Sequence, residues 1–311
     1  MSKLLVIFGA TGQQGGSLIQ TILSDPTLSK TYTLRAVTRD PAQPTAQSLS
    51  SRGVSLIKGD PDDTSSLGPI MKDAHTVFAV TTTTYDAECY ARELRQGKAI
   101  ADAAVAAGVQ YLIFSSLPHV STLAGGKYKG VQSFDAKAEV EMYVRGLPIK
   151  SAFFQPGSFM SNFQGGMKPN PVGDGTWAWF NVVTPQTRLP LIDTAGDTGK
   201  YVCAILAEPE KFEGKILCAS TEVLSMEEIC ETIGKASGKT VVYKQLPENV
   251  FRGFMKNEVQ SDNITQMMLY IQDFGYYGKD TVGKVAETAE LARGKLTTLE
   301  EYLKKNPLGL E

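Results

Sequence analysis

The chain has 311 residues, 42% of them hydrophobic, and a formal net charge of −2, so it can bury a full α/β core plus a smaller second region. So balanced a charge excludes the basic footprint of direct nucleic-acid binding, and no apolar stretch reaches the roughly 18 residues of a membrane span or resembles a signal peptide. Four scattered cysteines without a C-x-x-C pair read as reduced thiols of a cytoplasmic or nuclear protein, and two distant histidines form no zinc pattern, so no metal is expected.

The first element is an apolar run, Lys3 to Phe8, that breaks at Gly9-Ala10-Thr11-Gly12-Gln13-Gln14-Gly15 and continues as the helix-compatible Ser17 to Leu23. The spacing G-x-x-G-x-x-G predicts a strand, a tight turn and a helix start. Glycine is needed there so that the turn is sharp, a pyrophosphate comes close to the backbone and the helix packs against the sheet, while the free amides at the helix N-terminus bind the anion. The second strand, Tyr32 to Asp40, carries Thr38 and Arg39 at its tip, where NAD-preferring folds usually place a carboxylate. A guanidinium fork suits a 2′-phosphate, which favours NADP(H) over NAD(H). The competing reading makes Arg39 a solvated loop charge and gives the ribose to Asp40.

Further strands are read at Val54 to Lys58 (ending in Gly59-Asp60), Thr76 to Thr81, Tyr111 to Ser115 and Lys150 to Phe154, with helices from about Ala87 to Ala107 and from Ser133 to Arg145. This alternation predicts an α/β, doubly wound parallel sheet of the Rossmann kind. After Pro156 the composition shifts to a Gly/Pro/Asn-rich stretch (165–175) and the aromatics Trp177, Trp179 and Phe180. The expected division is a dinucleotide-binding domain over 1–155 and a smaller C-terminal α/β substrate or partner region over 156–311, with segments returning to the first sheet. Asp193 or Asp197 caps a helix entry, and Leu299 to Lys305 reads as an amphipathic terminal helix. Met255, Met267, Met268 and Tyr270 form either a partner-binding face or ordinary core.

The segments Val6 to Gly16, Arg35 to Pro41, Gly59 to Asp63, Gln96-Gly97-Lys98, Phe134 to Glu141 and Pro156 to Phe163 together resemble the NmrA-like branch of the atypical short-chain dehydrogenases, over nearly the whole chain. That resemblance implies a Rossmann domain with a small C-terminal region. The branch includes redox-sensing regulators that bind NAD(P) without turnover, and lies near isoflavone-reductase-like and quinone-reductase-like enzymes that do reduce substrates. By the resemblance, Gly9, Thr11, Gly12, Gln14 and Gly15 form the phosphate loop and Arg39 takes the 2′-phosphate. Asp60 and Pro61 flank the adenine, Thr81 and Thr82 lie along the cofactor, Lys98 and Lys137 reach its nicotinamide side, and Gly157, Ser158, Phe159 and Met160 close over it. The plain alternative for Lys98 is a solvated helix charge.

Typical members of the wider family pair a serine near the fifth strand with a tyrosine four residues before a lysine. Here Ser115 or Ser116 and Lys137 are in place, but Ser133 stands where the tyrosine belongs, and a serine hydroxyl is a far weaker acid than a phenol. Three substitutes are Lys137 itself, Tyr128 in the Gly125 to Gly130 loop, and His119. Their plain alternatives are a ribose ligand, a surface lid residue and a loop-packing histidine. Two function classes follow. One is a regulator that responds to NADP(H) occupancy and binds a protein partner such as a transcription factor. The other is an NADPH-dependent reductase of a quinone, imine or carbonyl compound, with Phe159, Phe163, Trp177 and Trp179 lining an apolar pocket for a small apolar or aromatic substrate.

Overall fold

Short runs rich in Val, Ile, Leu and Phe favour strands buried on both faces, and in the computed structural model, which describes residues 2–310, they assemble as such. The strands are β1 (Lys3–Ile7), β2 (Tyr32–Thr38), β3 (Ser55–Lys58), β4 (Thr76–Ala79), β5 (Tyr111–Ser115), β6 (Lys150–Pro156), β7 (Ser158–Phe159), β8 (Asn170–Gly173), β9 (Thr176–Asn181), β10 (Arg188–Ile192), β11 (Ile216–Ala219), β12 (Glu222–Ser225) and β13 (Thr240–Gln245). The longer helices are α1 (Gln13–Ser24), α2 (Cys89–Ala106), α3 (Gln132–Arg145), α4 (Thr194–Ala207), α5 (Met226–Ser237), α6 (Glu258–Phe274) and α7 (Thr281–Ala289). Seven strands form one sheet in the order β11-β6-β5-β4-β1-β2-β3, every pair parallel. β4 and β5 are buried at every position.

Helices cover both faces, the doubly wound Rossmann arrangement that the alternation predicts. Leu18, Ile19 and Ile22 of α1 and Tyr201, Val202 and Ile205 of α4 pack on one side; Ile100, Ala101 and Ala104 of α2 and Val140 and Val144 of α3 pack on the other. Small residues set how close these pairs come. The Gly199 amide donates to Ser17 Oγ across α4 and α1 (3.0 Å). Gly97 of α2 lies so near α3 that a Cβ there would stand 2.5 Å from Val140 Cγ2.

The six strands read from the first half all form. Their ends differ where backbone pairing starts or stops: β2 ends at Thr38, before Arg39, β4 ends at Ala79, and β6 runs two residues past the expected Phe154 because β11 pairs with it as far as Pro156.

The remaining strands make two small sheets, β12-β10-β7 and β13-β9-β8, around a second core. Phe163 and Trp179 belong to that core. Both are buried and meet edge to face at 5.4 Å, with Tyr243 against Trp179 at 5.7 Å. This corrects the expectation that these two aromatics line a pocket: small three-stranded sheets need large side chains to close a core, and these rings are spent there. Phe159 and Trp177 are half-buried against the apolar clusters. Met268 and Tyr270 are likewise core, with Met255 and Met267 packed on it.

Asp193 caps α4 through the Gly196 amide (3.0 Å), whereas Asp197 is fully buried and accepts from Thr297 (2.9 Å) and Lys200 (2.6 Å). The terminal helix Leu299–Lys305 carries a capping box from Thr298 and Glu301. At the seam between the two regions, buried phenols finish β6: Tyr276 donates to the Pro156 carbonyl (3.1 Å) and Tyr277 to that of Gln155 (2.8 Å).

All four cysteines are free and buried; desolvation pushes the thiols of Cys203, Cys218 and Cys230 up to about 12, which makes them poor nucleophiles. Among the described residues, no helix is long and apolar enough to cross a membrane. The tight contact at Gly97 predicts that Gly97→Leu destabilises the fold by about 1–3 kcal/mol, the usual range for overpacking, as measured by urea unfolding. An unchanged midpoint would mean that α2 and α3 can separate freely.

Candidate functional site

Parallel strands deliver their carboxyl ends to one rim, and the strand order reverses beside β1, between β4 and β2, which is where open α/β sheets bind ligands. The glycine turn occupies this point. Gly9 adopts φ +64°, and the Gly12 amide closes the turn onto its carbonyl (2.9 Å). A Cβ on Gly15 would stand 2.7 Å from Ala10 Cα, so the helix start sits directly on the turn. No side chain caps α1 and no acidic residue lies in its first turn, which leaves the partial positive charge of the helix end unopposed. The buried Gln14 Oε1 has no hydrogen-bond partner among the described residues. An uncapped helix end whose free amides open onto a glycine cradle fits a phosphate-bearing ligand; Gln14 Oε1, itself an acceptor, adds nothing to that fit.

Other expected residues stand along the same rim. Arg39 is exposed and pairs with no described residue. Neighbouring Asp40 is engaged: its carboxylate accepts from the Ala42 amide (2.9 Å) and Gln43 Nε2 (3.0 Å), bonds that hold its pKa below the ordinary value. Asp60 and Pro61 begin the turn after β3, with Ser66 Oγ donating to the Asp60 carbonyl (3.1 Å). That turn is tied to α2, since Asp62 accepts from Arg95 (3.0 Å) and Gln96 (2.7 Å). Gly157, Ser158, Phe159 and Met160 pass from β6 through β7, and Ser161 Oγ then donates to Gln13 Oε1 of the glycine turn (3.2 Å).

Thr81 and Lys137 converge on a residue that the sequence reading did not single out, Glu93 of α2. Glu93 is 1% exposed and Lys137 7%. Lys137 Nζ forms an ion pair with Glu93 Oε2 and donates to Thr83 Oγ1 (2.9 Å). The two threonine hydroxyls fill the carboxylate, Thr81 at 2.8 Å and Thr83 at 2.7 Å. Thr82, between them, faces solvent, as alternation in an extended chain requires. Behind the pair, Ser115 and Ser116 are both buried, and Ser116 Oγ is 3.4 Å from the Lys137 carbonyl.

Ser133 lies against the buried Asn263 of α6 (3.0 Å). The half-buried phenol of Tyr85, in the segment after β4, sits beside Ser133 and Glu93, and burial raises its pKa. One signal for these residues was present: Thr81 and Thr83 alternate in a four-threonine run.

Three expected residues stand apart from the cluster. Lys98 Nζ lies over the Tyr143 ring, 4.9 Å from its centroid. The Tyr128 hydroxyl donates to Asp273 (2.7 Å), and burial and that carboxylate raise its pKa. His119 is held between Asp135 (3.1 Å) and Glu139 (3.2 Å).

The rim thus carries an open helix end at the glycine turn and, further along, a buried lysine that is already paired with a carboxylate. An NmrA-like family domain-containing protein of Dictyostelium discoideum is 30% identical over 98% of each chain. An NmrA-like family domain-containing oxidoreductase, ptmS of Penicillium ochrochloron, is 27% identical over 76% of this chain and 74% of its own. The crystal structure of NmrA, a negative transcriptional regulator, in complex with NADP superposes with a TM-score of 0.80 at 26% identity, covering 98% of this chain and 95% of that one; the same regulator has been solved with NAD. The model of the NmrA-like family matches residues 1–303, and the chain belongs to that family.

Proposed function

We propose that this protein binds NADP(H) and acts as a redox-sensing regulator that responds to cofactor occupancy without turning over a substrate. The observation that carries the reading is the buried Lys137–Glu93 pair beside Ser133. The lysine that would lower a phenol's pKa, or donate a proton itself, is spent on a carboxylate whose oxygens also take two threonine hydroxyls, and the residue one turn before it is a serine. NADPH, when bound, would carry a transferable hydride; in this reading the chain's own groups bind and orient the cofactor and pass the hydride to no substrate. In this reading the first amides of α1 and the Gly9–Gly15 turn hold the pyrophosphate, Asp60 and Pro61 flank the adenine, Thr81 and Thr82 run along the cofactor, and Lys137 holds the ribose next to the nicotinamide. Arg39 takes the 2′-phosphate. The engagement of Asp40 in its own turn supports NADP(H) over NAD(H), because a carboxylate already accepting two hydrogen bonds is less available to a ribose hydroxyl. The likeness to a transcriptional regulator solved with NADP supports a protein partner of the same kind.

Tyr85 favours a second reading, an NADPH-dependent reductase of a quinone, imine or carbonyl compound. Its half-buried phenol lies near Ser133 and is the candidate acid of this reading, one that burial weakens by raising its pKa. Relatives named as oxidoreductases support the same reading.

Wild-type protein is expected to show no NADPH oxidation above background with a panel of quinones, imines and aldehydes, measured at 340 nm. Turnover that Tyr85→Phe or Lys137→Ala abolishes would overturn the regulator in favour of the reductase. In calorimetric titration, Arg39→Ala should weaken NADP(H) roughly tenfold to hundredfold, the range for hydrogen bonds to a charged group, and leave NAD(H) nearly unchanged. Equal losses for both would remove the 2′-phosphate assignment. Lys137→Ala strands Glu93 without a counter-charge and should cost about 3–5 kcal/mol of stability in urea unfolding; a loss below about 1 kcal/mol would show that the pair is not held dry.

A further inference from the structure

Helix α3 begins without a cap of its own. Its N-cap residue is Val131, which offers no side-chain acceptor, and its first amides have no partner within the helix. The acceptor comes from α6, more than a hundred residues on. Asn263 is fully buried, and in the amide orientation that satisfies it, its oxygen accepts from the amides of Gln132 (2.9 Å) and Ser133 (3.0 Å) while its nitrogen donates to Ser133 Oγ (3.0 Å). Gln266 and Asp273 lie three and ten residues further along α6, on the same face. Gln266 Oε1 accepts from the amides of Lys129 (3.1 Å) and Gly130 (2.8 Å), and Asp273 from the Tyr128 hydroxyl (2.7 Å). At the other end of the helix, its N-cap Asn257 donates to the Tyr85 carbonyl (3.0 Å). One helix of the C-terminal region thus grips both segments that approach Lys137, the one after β4 and the one leading into α3.

We infer that Asn263 is a positioning residue for the nicotinamide end of the cleft. It acts through Ser133, which stands one turn before Lys137 on the same face of α3, so a displacement of the helix start is delivered directly to the lysine. This rests on the NADP(H) reading above. The adenosine end is built on β1, β2 and β3 and, among the described residues, shares no hydrogen bond with α6, so loss of Asn263 should be felt at one end of the cofactor only.

The test compares two ligands by isothermal titration calorimetry: NADPH, and adenosine 2′,5′-bisphosphate, which keeps the adenosine end and lacks both the nicotinamide and the ribose that Lys137 holds. Asn263→Ala should weaken NADPH about 5- to 10-fold, a usual coupling between linked sites, and leave adenosine 2′,5′-bisphosphate unchanged. Asn263→Asp, whose carboxylate still accepts from both α3 amides and from the Ser133 hydroxyl, should recover most of the loss. Equal weakening of both ligands, or none of either, overturns the inference, because a merely structural role would not separate them. Should Asn263→Ala fail to fold, Gln266→Ala carries the same expectation and the same refutation. A wild type that binds neither ligand overturns the cofactor reading and this inference with it; a wild type that binds NADPH beside an indifferent Asn263→Ala overturns the inference alone.

Discussion

Taking Lys137 and Glu93 out of water costs several kcal/mol per ion, and mutual attraction recovers that only when the geometry is close and the remaining lone pairs are filled. The rest of the cleft can be understood as the conditions for that pairing. α2 and α3 must touch, which Gly97 allows by leaving room for Val140. The end of β4 must present two hydroxyls on one side, which Thr81 and Thr83 do by alternation. The sheet beneath must be dry, which full burial of β4 and β5 secures. Once these hold, the cation is fixed in place at the rim where the glycine turn and the tip of β2 also lie. At the Lys137 end, then, the charges are already satisfied within the chain, whereas the helix end and Arg39 at the other end are open.

How much of this was legible depended on the range of the interactions. The main sheet could be read because a buried parallel strand is a local property: six apolar runs, each bounded by turn residues, identified themselves, and the glycines after β1 placed the rim. Glu93 could not be read in this way. It is one charge in Arg92-Glu93-Leu94-Arg95, indistinguishable by composition from a solvated face, and it becomes buried only because a lysine 44 residues away folds onto it. Asn263 is hidden for the same reason, its acceptor duty lying on another helix. The aromatics failed differently. Phe163 and Trp179 are as compatible with a pocket wall as with a core, and only the packing of two small sheets decides for the core.

The polar face of α6 gives the C-terminal region a second task beside closing its own core. Asn257, Asn263, Gln266 and Asp273 spend their side chains on backbone groups and a phenol of the first region. Such bonds are directional, and they hold two segments that would otherwise be exposed loops in one arrangement.

The last strand of the main sheet has a consequence for how the molecule is made. β11 contributes residues 216–219 to the edge beside β6, and the last two carbonyls of β6, those of Gln155 and Pro156, take the phenols of Tyr277 and Tyr276. During vectorial synthesis the first 155 residues leave the ribosome with β6 as a bare edge, an apolar strand whose unmade bonds invite pairing with another chain. The nascent chain must wait about 60 residues for its covering strand, which at roughly 5–20 residues per second is a gap of several seconds. Over that interval the half-built sheet keeps an open apolar edge, which a strand far along the chain later covers.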